Sequence, residues 1–127
     1  MHLLFVAEPN LISPLSQTFV QSIFDKDPNA NIIVAGDHNE YTQTRSAFAA
    51  YGSVLTEADV AADVPDVERY TYLFDQNAEQ LDHAFVSSAI VGRGGVQVEH
   101  VHVNNWQASV DARGSDHDPT VVQFKIC

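Results

Sequence analysis

Three short clusters carry the residue types that can do acid–base, metal or phosphoryl chemistry. They are Gly36-Asp37-His38-Asn39, Leu81-Asp82-His83 and Ser115-Asp116-His117-Asp118-Pro119. A carboxylate such as Asp37 can serve as a general base or bind a metal ion. Asn39, two residues further on, offers a neutral donor and acceptor that can hold a phosphoryl oxygen. Asp116-His117 adds a second carboxylate and an imidazole, and Asp82 can orient that imidazole by accepting its other N–H. A serine-nucleophile hydrolase finds no support, because no Gly-x-Ser-x-Gly elbow is present. Gly92-Arg93-Gly94-Gly95 lacks the Lys-Ser/Thr ending of a phosphate-cradling loop and does not join a strand to a helix.

The elements that must position these clusters follow from the apolar pattern. Ser13 reads as an N-cap with Pro14 at the first helical position. Leu15, Phe19, Val20, Ile23 and Phe24 then recur at helical spacing until Asp27-Pro28-Asn29 ends the run. Ile32-Ile33-Val34-Ala35 is a short continuous apolar run, which predicts a strand buried on both faces and ending at Gly36-Asp37. A second short helix is expected from Thr44 to Tyr51, with Phe48 and Tyr51 on one face. Tyr70–Phe74 and Gln80–Val86 are β-prone and flank a turn at 75–78. Val96, Val98, Val101 and Val103 form another β-prone run, and Val121–Ile126 a last strand. The segment 53–68, with Glu57, Asp59, Asp63, Asp66 and Glu68, is expected to be a solvated surface stretch. Helix and buried strand in alternation indicate an α/β (α+β) layered fold, a mixed sheet with helices on one face. In such folds, ligands gather where loops leave the sheet.

Composition sets the bounds. The chain has 127 residues, 45% hydrophobic and 18% charged, which suits one ordinary domain and excludes a disordered one. Six Lys+Arg against 17 Asp+Glu give a net charge of −11. This excludes gripping nucleic acid by bulk positive charge, but not meeting phosphate through a metal ion. Cys127 is the only cysteine, so it is a free thiol or half of a bridge to another chain. No run approaches the ~18 apolar residues of a membrane span. Met1–Ala7 has no preceding Lys or Arg, and is read as no signal peptide.

Taken together and in this order, the three clusters resemble the endonuclease/exonuclease/phosphatase superfamily. Its members carry a Gly-Asp-Phe-Asn-like turn, a Leu-Asp-His-like strand, and Ser-Asp-His-x-Pro near the C-terminus. Ser115–Pro119 matches the last completely. Tyr70-Thr71-Tyr72 and the stretch from Asn104 to Pro119 are most similar to the secreted bacterial and fungal nuclease-like branch. The likeness runs from about Leu15 to Ile126. It implies a metal-dependent phosphoesterase, nuclease-like, acting on a phosphodiester substrate. Asp37 would orient or deprotonate the attacking water. Asn39 would position it and stabilise charge on the phosphate. Asp82 would hold the ring of His117, which would stabilise or protonate the phosphate in the transition state. Asp116 would bind the metal, and these hard oxygen ligands suit Mg²⁺, Mn²⁺ or Ca²⁺.

The sequence departs from the pattern in two ways. His38 stands where an apolar residue is usual, and is read as a neighbour pointing away from the site; the other reading has it perturb Asp37 or add a ligand. Members of the family are also about twice this length, a two-sheet α/β sandwich of two similar halves. Residues 1–127 therefore read as a single partial domain, the C-terminal half. The first half normally supplies an Asn and the main metal-binding Glu, and Glu8 is not in the context to replace it. One sheet face is then expected to lie bare, inviting self-association, and Cys127 would have its partner in the other half. The alternative to an enzyme is a non-catalytic remnant, or a half-domain needing a separate N-terminal half. A third reading is a Zn²⁺ module built on His100 and His102, on one face of a strand, with Asp116-His117; the plainer reading makes both solvent-facing.

Overall fold

The computed structural model describes residues 2–5, 14–41 and 45–126. Its elements in chain order are β1 (His2–Phe5), α1 (Pro14–Phe24), β2 (Ile32–Asp37), α2 (Arg45–Gly52), β3 (Leu55–Glu57), α3 (Ala58–Ala61), β4 (Tyr72–Phe74), β5 (Asn77–Glu79), β6 (Asp82–Ser87), α4 (Ser88–Val91), β7 (Gln97–His100) and β8 (Thr120–Gln123). Short 3-10 turns lie at Asp66–Glu68 and Val110–Ala112. The expected N-cap Ser13, the helix start at Thr44, Glu8 and Cys127 lie outside the described residues. No helix among the described residues is long and apolar enough to cross a membrane.

A four-stranded sheet runs in the order β1-β2-β6-β3. β1 lies parallel to β2, while β6 is antiparallel to both β2 and β3, so the sheet is mixed. The apolar run of β2 works as predicted. Successive side chains point to opposite faces, and each face has its own core. Ile32 and Val34 pack with Val20, Tyr51, Leu55 and Phe85 on the side of α1 and α2. Ile33 packs with Ala58, Ala84, Val86, Ile90 and Val96 on the other. The Tyr51 hydroxyl bonds Ser16 Oγ at 2.8 Å, tying α2 to α1.

The second face is not bare. It carries α3 and α4, and the β7–β8 ribbon lays the partly buried Val98 and Val122 against it. What stays open is a pocket of about 200 Å³ between the sheet, at Ala35, Gly36, His83 and Ala84, and Pro119, Thr120 and Val122 of the returning chain.

Three details differ from expectation. The β-prone run 96–103 leaves the ribbon after His100. The last strand begins at Thr120 and ends at Gln123. The acidic stretch is exposed at Asp63, Asp66 and Glu68, but Asp59 is buried. Its carboxylate accepts from Gln80 Nε2 at 2.7 Å and bonds His100 Nε2 at 2.8 Å, and these partners offset the cost of its burial.

Phe85 links the layers, since its ring meets Phe48, Tyr51 and His38 at once. Phe85→Ala should cost about 3–5 kcal/mol. Urea unfolding with an unchanged slope would check this, and a loss below about 1 kcal/mol would refute the packing described.

Candidate active site

The antiparallel register of β2 and β6 sets Asp37 directly opposite Asp82. Opposed residues in such a pair project to the same side of the sheet, so the two carboxylates meet where both strands open to the loops. Past Asp37 the chain turns back tightly. Asn39 has φ +47°, a left-handed conformation that Asn tolerates better than most residues. The turn is held by Asp37 itself. Its Oδ1 accepts the Asn39 backbone N–H at 2.9 Å, and its Oδ2 accepts the Asn39 side-chain amide at 3.2 Å.

His117 arrives from the far end of the chain. Its Nδ1 lies 2.6 Å from Asp82 Oδ2. A carboxylate only accepts, so Nδ1 carries the proton and Nε2 is the nitrogen left for chemistry. Burial pulls the His117 pKa down. The hydrogen bond and charge of Asp82, with the charges of Asp37 and Asp116, outweigh that and hold it above the ordinary 6.5. A ligand atom from each of Asp37, Asp82 and His117 falls within 4.8 Å of the others, the one such group of three or more among the described residues. Its two carboxylates supply the hard oxygen donors that fit a divalent cation such as Mg²⁺. Asp116, expected as the metal ligand, is exposed and stands outside this trio.

The loop that delivers His117 is anchored by a residue to which sequence reasoning assigns no role. Asp118 is buried and accepts from the backbone N–H groups of Asn104 (2.7 Å) and Asn105 (3.1 Å), with the Asn105 amide and His102 Nδ1 completing its shell. Burial raises its pKa, but these hydrogen bonds overcome that and leave it lowered. The Asp118 N–H donates to Thr71 O at 2.7 Å. Asn104 reaches back to His117 O (2.7 Å) and accepts from the Gly114 N–H. Thr71, fully buried, also receives the N–H groups of Leu81 and Asp82 on its hydroxyl. One Thr–Asp pair thus fixes both Asp82 and His117. An Asp two residues before a strand, followed by Pro119, is the only sequence signal for it.

The other histidines whose side chains are described, His38, His83, His100 and His102, have structural partners. His38 turns away from the cluster: its Nδ1 donates to Gly36 O at 2.7 Å, and its ring packs by Phe48, His83 and Phe85. Burial lowers its pKa. His83 sits between Glu57 Oε1 (2.8 Å) and Glu40 O (2.9 Å). His100 and His102 are not solvent-facing. Thr120 and Asp59 take both nitrogens of His100. His102 bonds Asp118 and stacks on Tyr70 with ring centroids 3.8 Å apart. Each is committed to a different carboxylate, so they form no zinc group with Asp116-His117.

No protein-family model and no curated protein matches this sequence. Solved structures do. An endonuclease/exonuclease/phosphatase family protein from Bacteroides thetaiotaomicron is 24% identical, with a TM-score of 0.59 over 86% of this chain and 42% of its own. The mannosyl-6-phosphatase of Bacteroides thetaiotaomicron VPI-5482 is 20% identical, with a TM-score of 0.65 over 97% of this chain and 50% of its own. The 3′-5′ exonuclease NExo of Neisseria meningitidis is 17% identical, with a TM-score of 0.64 over 96% of this chain and 60% of its own. The chain has the endonuclease/exonuclease/phosphatase fold, as the three clusters led one to expect, and spans about half the length of the structures it matches.

Two outcomes test the site. Asp82→Asn removes the charge that raises His117, so the imidazole should titrate at lower pH in the variant; proton NMR of the ring reads this, and an unmoved midpoint would deny the coupling. Asp118→Ala strips four donors of a buried acceptor and should cost about 3 kcal/mol. Because the folded pKa of Asp118 is depressed, its contribution is present above its unfolded value of 3.8 and is lost as pH falls through the folded one. The stability gap between wild type and variant should therefore narrow at strongly acid pH, which urea titration across pH would show.

Proposed function

We propose that this chain is the C-terminal half of a metal-dependent phosphoesterase, nuclease-like in its chemistry. The observation that carries the reading is the convergence of Asp37, Asp82 and His117, three residues from distant parts of the chain, at one sheet edge. Asp37 accepts the proton of the attacking water. Asn39, whose amide already braces the Asp37 carboxylate, keeps a second N–H for a phosphoryl oxygen. His117, protonated at Nδ1 by its bond to Asp82, donates from Nε2 to the phosphate as negative charge builds in the transition state. A raised pKa keeps that imidazole charged nearer to neutral pH. A bound Mg²⁺, Mn²⁺ or Ca²⁺ would neutralise charge on the phosphate. Asp37 and Asp82, with Asp116 at the exposed rim, are the carboxylates that would hold it.

The matched fold serves both a sugar phosphatase and an exonuclease, and what the two share is hydrolysis of a phosphate ester. A second reading is favoured by the length of the matched structures, of which this chain spans 42–60%. In that reading the chain is a half-domain that works only beside a separate N-terminal half.

Hydrolysis of plasmid DNA and of a generic phosphodiester, with each of the three cations and with chelator, separates the two. Turnover that needs the metal and falls by about 10²-fold or more in both Asp37→Asn and His117→Ala supports the first. Turnover that appears only when an N-terminal half is added supports the second. Activity untouched by both substitutions would overturn the site.

A further inference from the structure

The catalytic reading uses one face of His117; the other is occupied by an aromatic ring that the reading does not employ. Tyr72 and His117 form a backbone bridge, and their rings lie 5.0 Å apart. Phe74, two residues along the same strand and so on the same face, stacks near-parallel to Tyr72 at 6.2 Å with 11° between planes. It is 61% exposed. Burial of apolar surface does not account for an aromatic in that position, at the tip of a three-residue strand that ends in a turn. Tyr41, also exposed, bonds the carboxylate of Glu79, the cross-strand partner of Tyr72. The result is two flat rings, Tyr72 and Phe74, set in sequence beside the His117 imidazole.

Charge gives the second observation. A chain of net charge −11 cannot track a phosphate backbone. Arg69 is spent on Val64 O and Asp66, and Arg93 on Asn31 and Ala89 O. A ligand that docks through one phosphate at the cluster then gains further affinity from uncharged contacts beside it. Flat rings at the site's edge favour a planar, π-faced group, since base–aromatic stacking is a large and sequence-tolerant source of affinity.

We propose that Tyr72 and Phe74 form a stacking subsite for the unpaired nucleobase next to the phosphate held at Asp37, Asp82 and His117. The proposal rests on the phosphoesterase reading and narrows it: the substrate is a nucleotide or the end of a short single strand, not a sugar phosphate. Ligand length beyond two or three nucleotides adds little, and binding depends weakly on salt.

Calorimetric binding in Ca²⁺ tests this without needing turnover. The probes are a thymidine trinucleotide, the same trinucleotide with abasic spacers, and mannose 6-phosphate. The base-bearing probe should bind about tenfold or more tightly than the abasic one. Phe74→Leu, which keeps apolar bulk without a ring, should erase that ratio, Phe74→Trp should keep it, and Phe19→Ala, an exposed ring on α1, should leave it alone. The Tyr72 and Phe74 ring protons should shift upfield on adding the base-bearing probe. Equal binding of the two trinucleotides would overturn the subsite while leaving the phosphate reading in place. Tighter, Phe74-dependent binding of mannose 6-phosphate would assign the rings to a sugar and overturn it. Binding of none of the three would overturn the subsite in this chain, and the hydrolysis assay with and without an N-terminal half then decides the phosphoesterase reading separately.

Discussion

The pairing of β2 with β6 is the constraint on which the rest depends. It sets Ile33 against Val86 and Val34 against Phe85 in the core, and by the same register sets Asp37 against Asp82 at the edge. Core and site are therefore not separable. Side chains alternate with a period of two, so a slip of one residue would send Phe85 to the wrong layer and part the two carboxylates in the same motion. The apolar half of each strand supplies the free energy that fixes the register, and the polar end inherits the geometry. Placing two carboxylates side by side is unfavourable for both. His117 relieves that repulsion by bonding Asp82, and Asn39 by bonding Asp37.

The same rule of pairing runs through the molecule. Four histidines each meet a carboxylate: His83 with Glu57, His100 with Asp59, His102 with Asp118 and His117 with Asp82. Three of these pairs lie deeper than the fourth, and His117–Asp82 keeps about a fifth of each side chain open to solvent. Depth sets the pair proposed to react apart from the three structural ones. His100 has both nitrogens bonded, and no reactant can displace them without exposing a buried acid. His117 has one nitrogen fixed and one at the surface, the arrangement that a proton donor needs.

What the sequence made legible was the local chemistry and the strand ends. The Ile32–Ala35 run announced a doubly buried strand, and Asp37 and Asn39 could be placed at its exit by counting. Asp82 and His117 could be matched as carboxylate and ring. What stayed hidden was long-range. Asp59 and Glu57 sit in a stretch whose composition reads as solvated. Only the fold, by bringing His100 and His83 to them across 41 and 26 residues, gives those acids partners inside. Asp118 carries no local signal of its anchoring role, since its donors lie 13 to 16 positions upstream in a loop without periodicity. Propensity and pattern describe a residue's own neighbourhood; burial of a charge is decided by residues far along the chain.

This hidden layer bears on how the site would meet an anionic substrate. A surface this acidic repels phosphate at a distance, so recognition has to be won at contact. Contact is then most productive when Asp37, Asp82 and His117 already stand in place. The buried Asp118 and Thr71, with the half-buried Asn104, supply that order. They spend their hydrogen bonds on two loops that would otherwise be free to part, and the site's rigidity is the return. In a strongly basic protein the same loops could be looser, since attraction would compensate for disorder. Here the acidity of the chain and the stiffness of its His117 loop are two sides of one requirement.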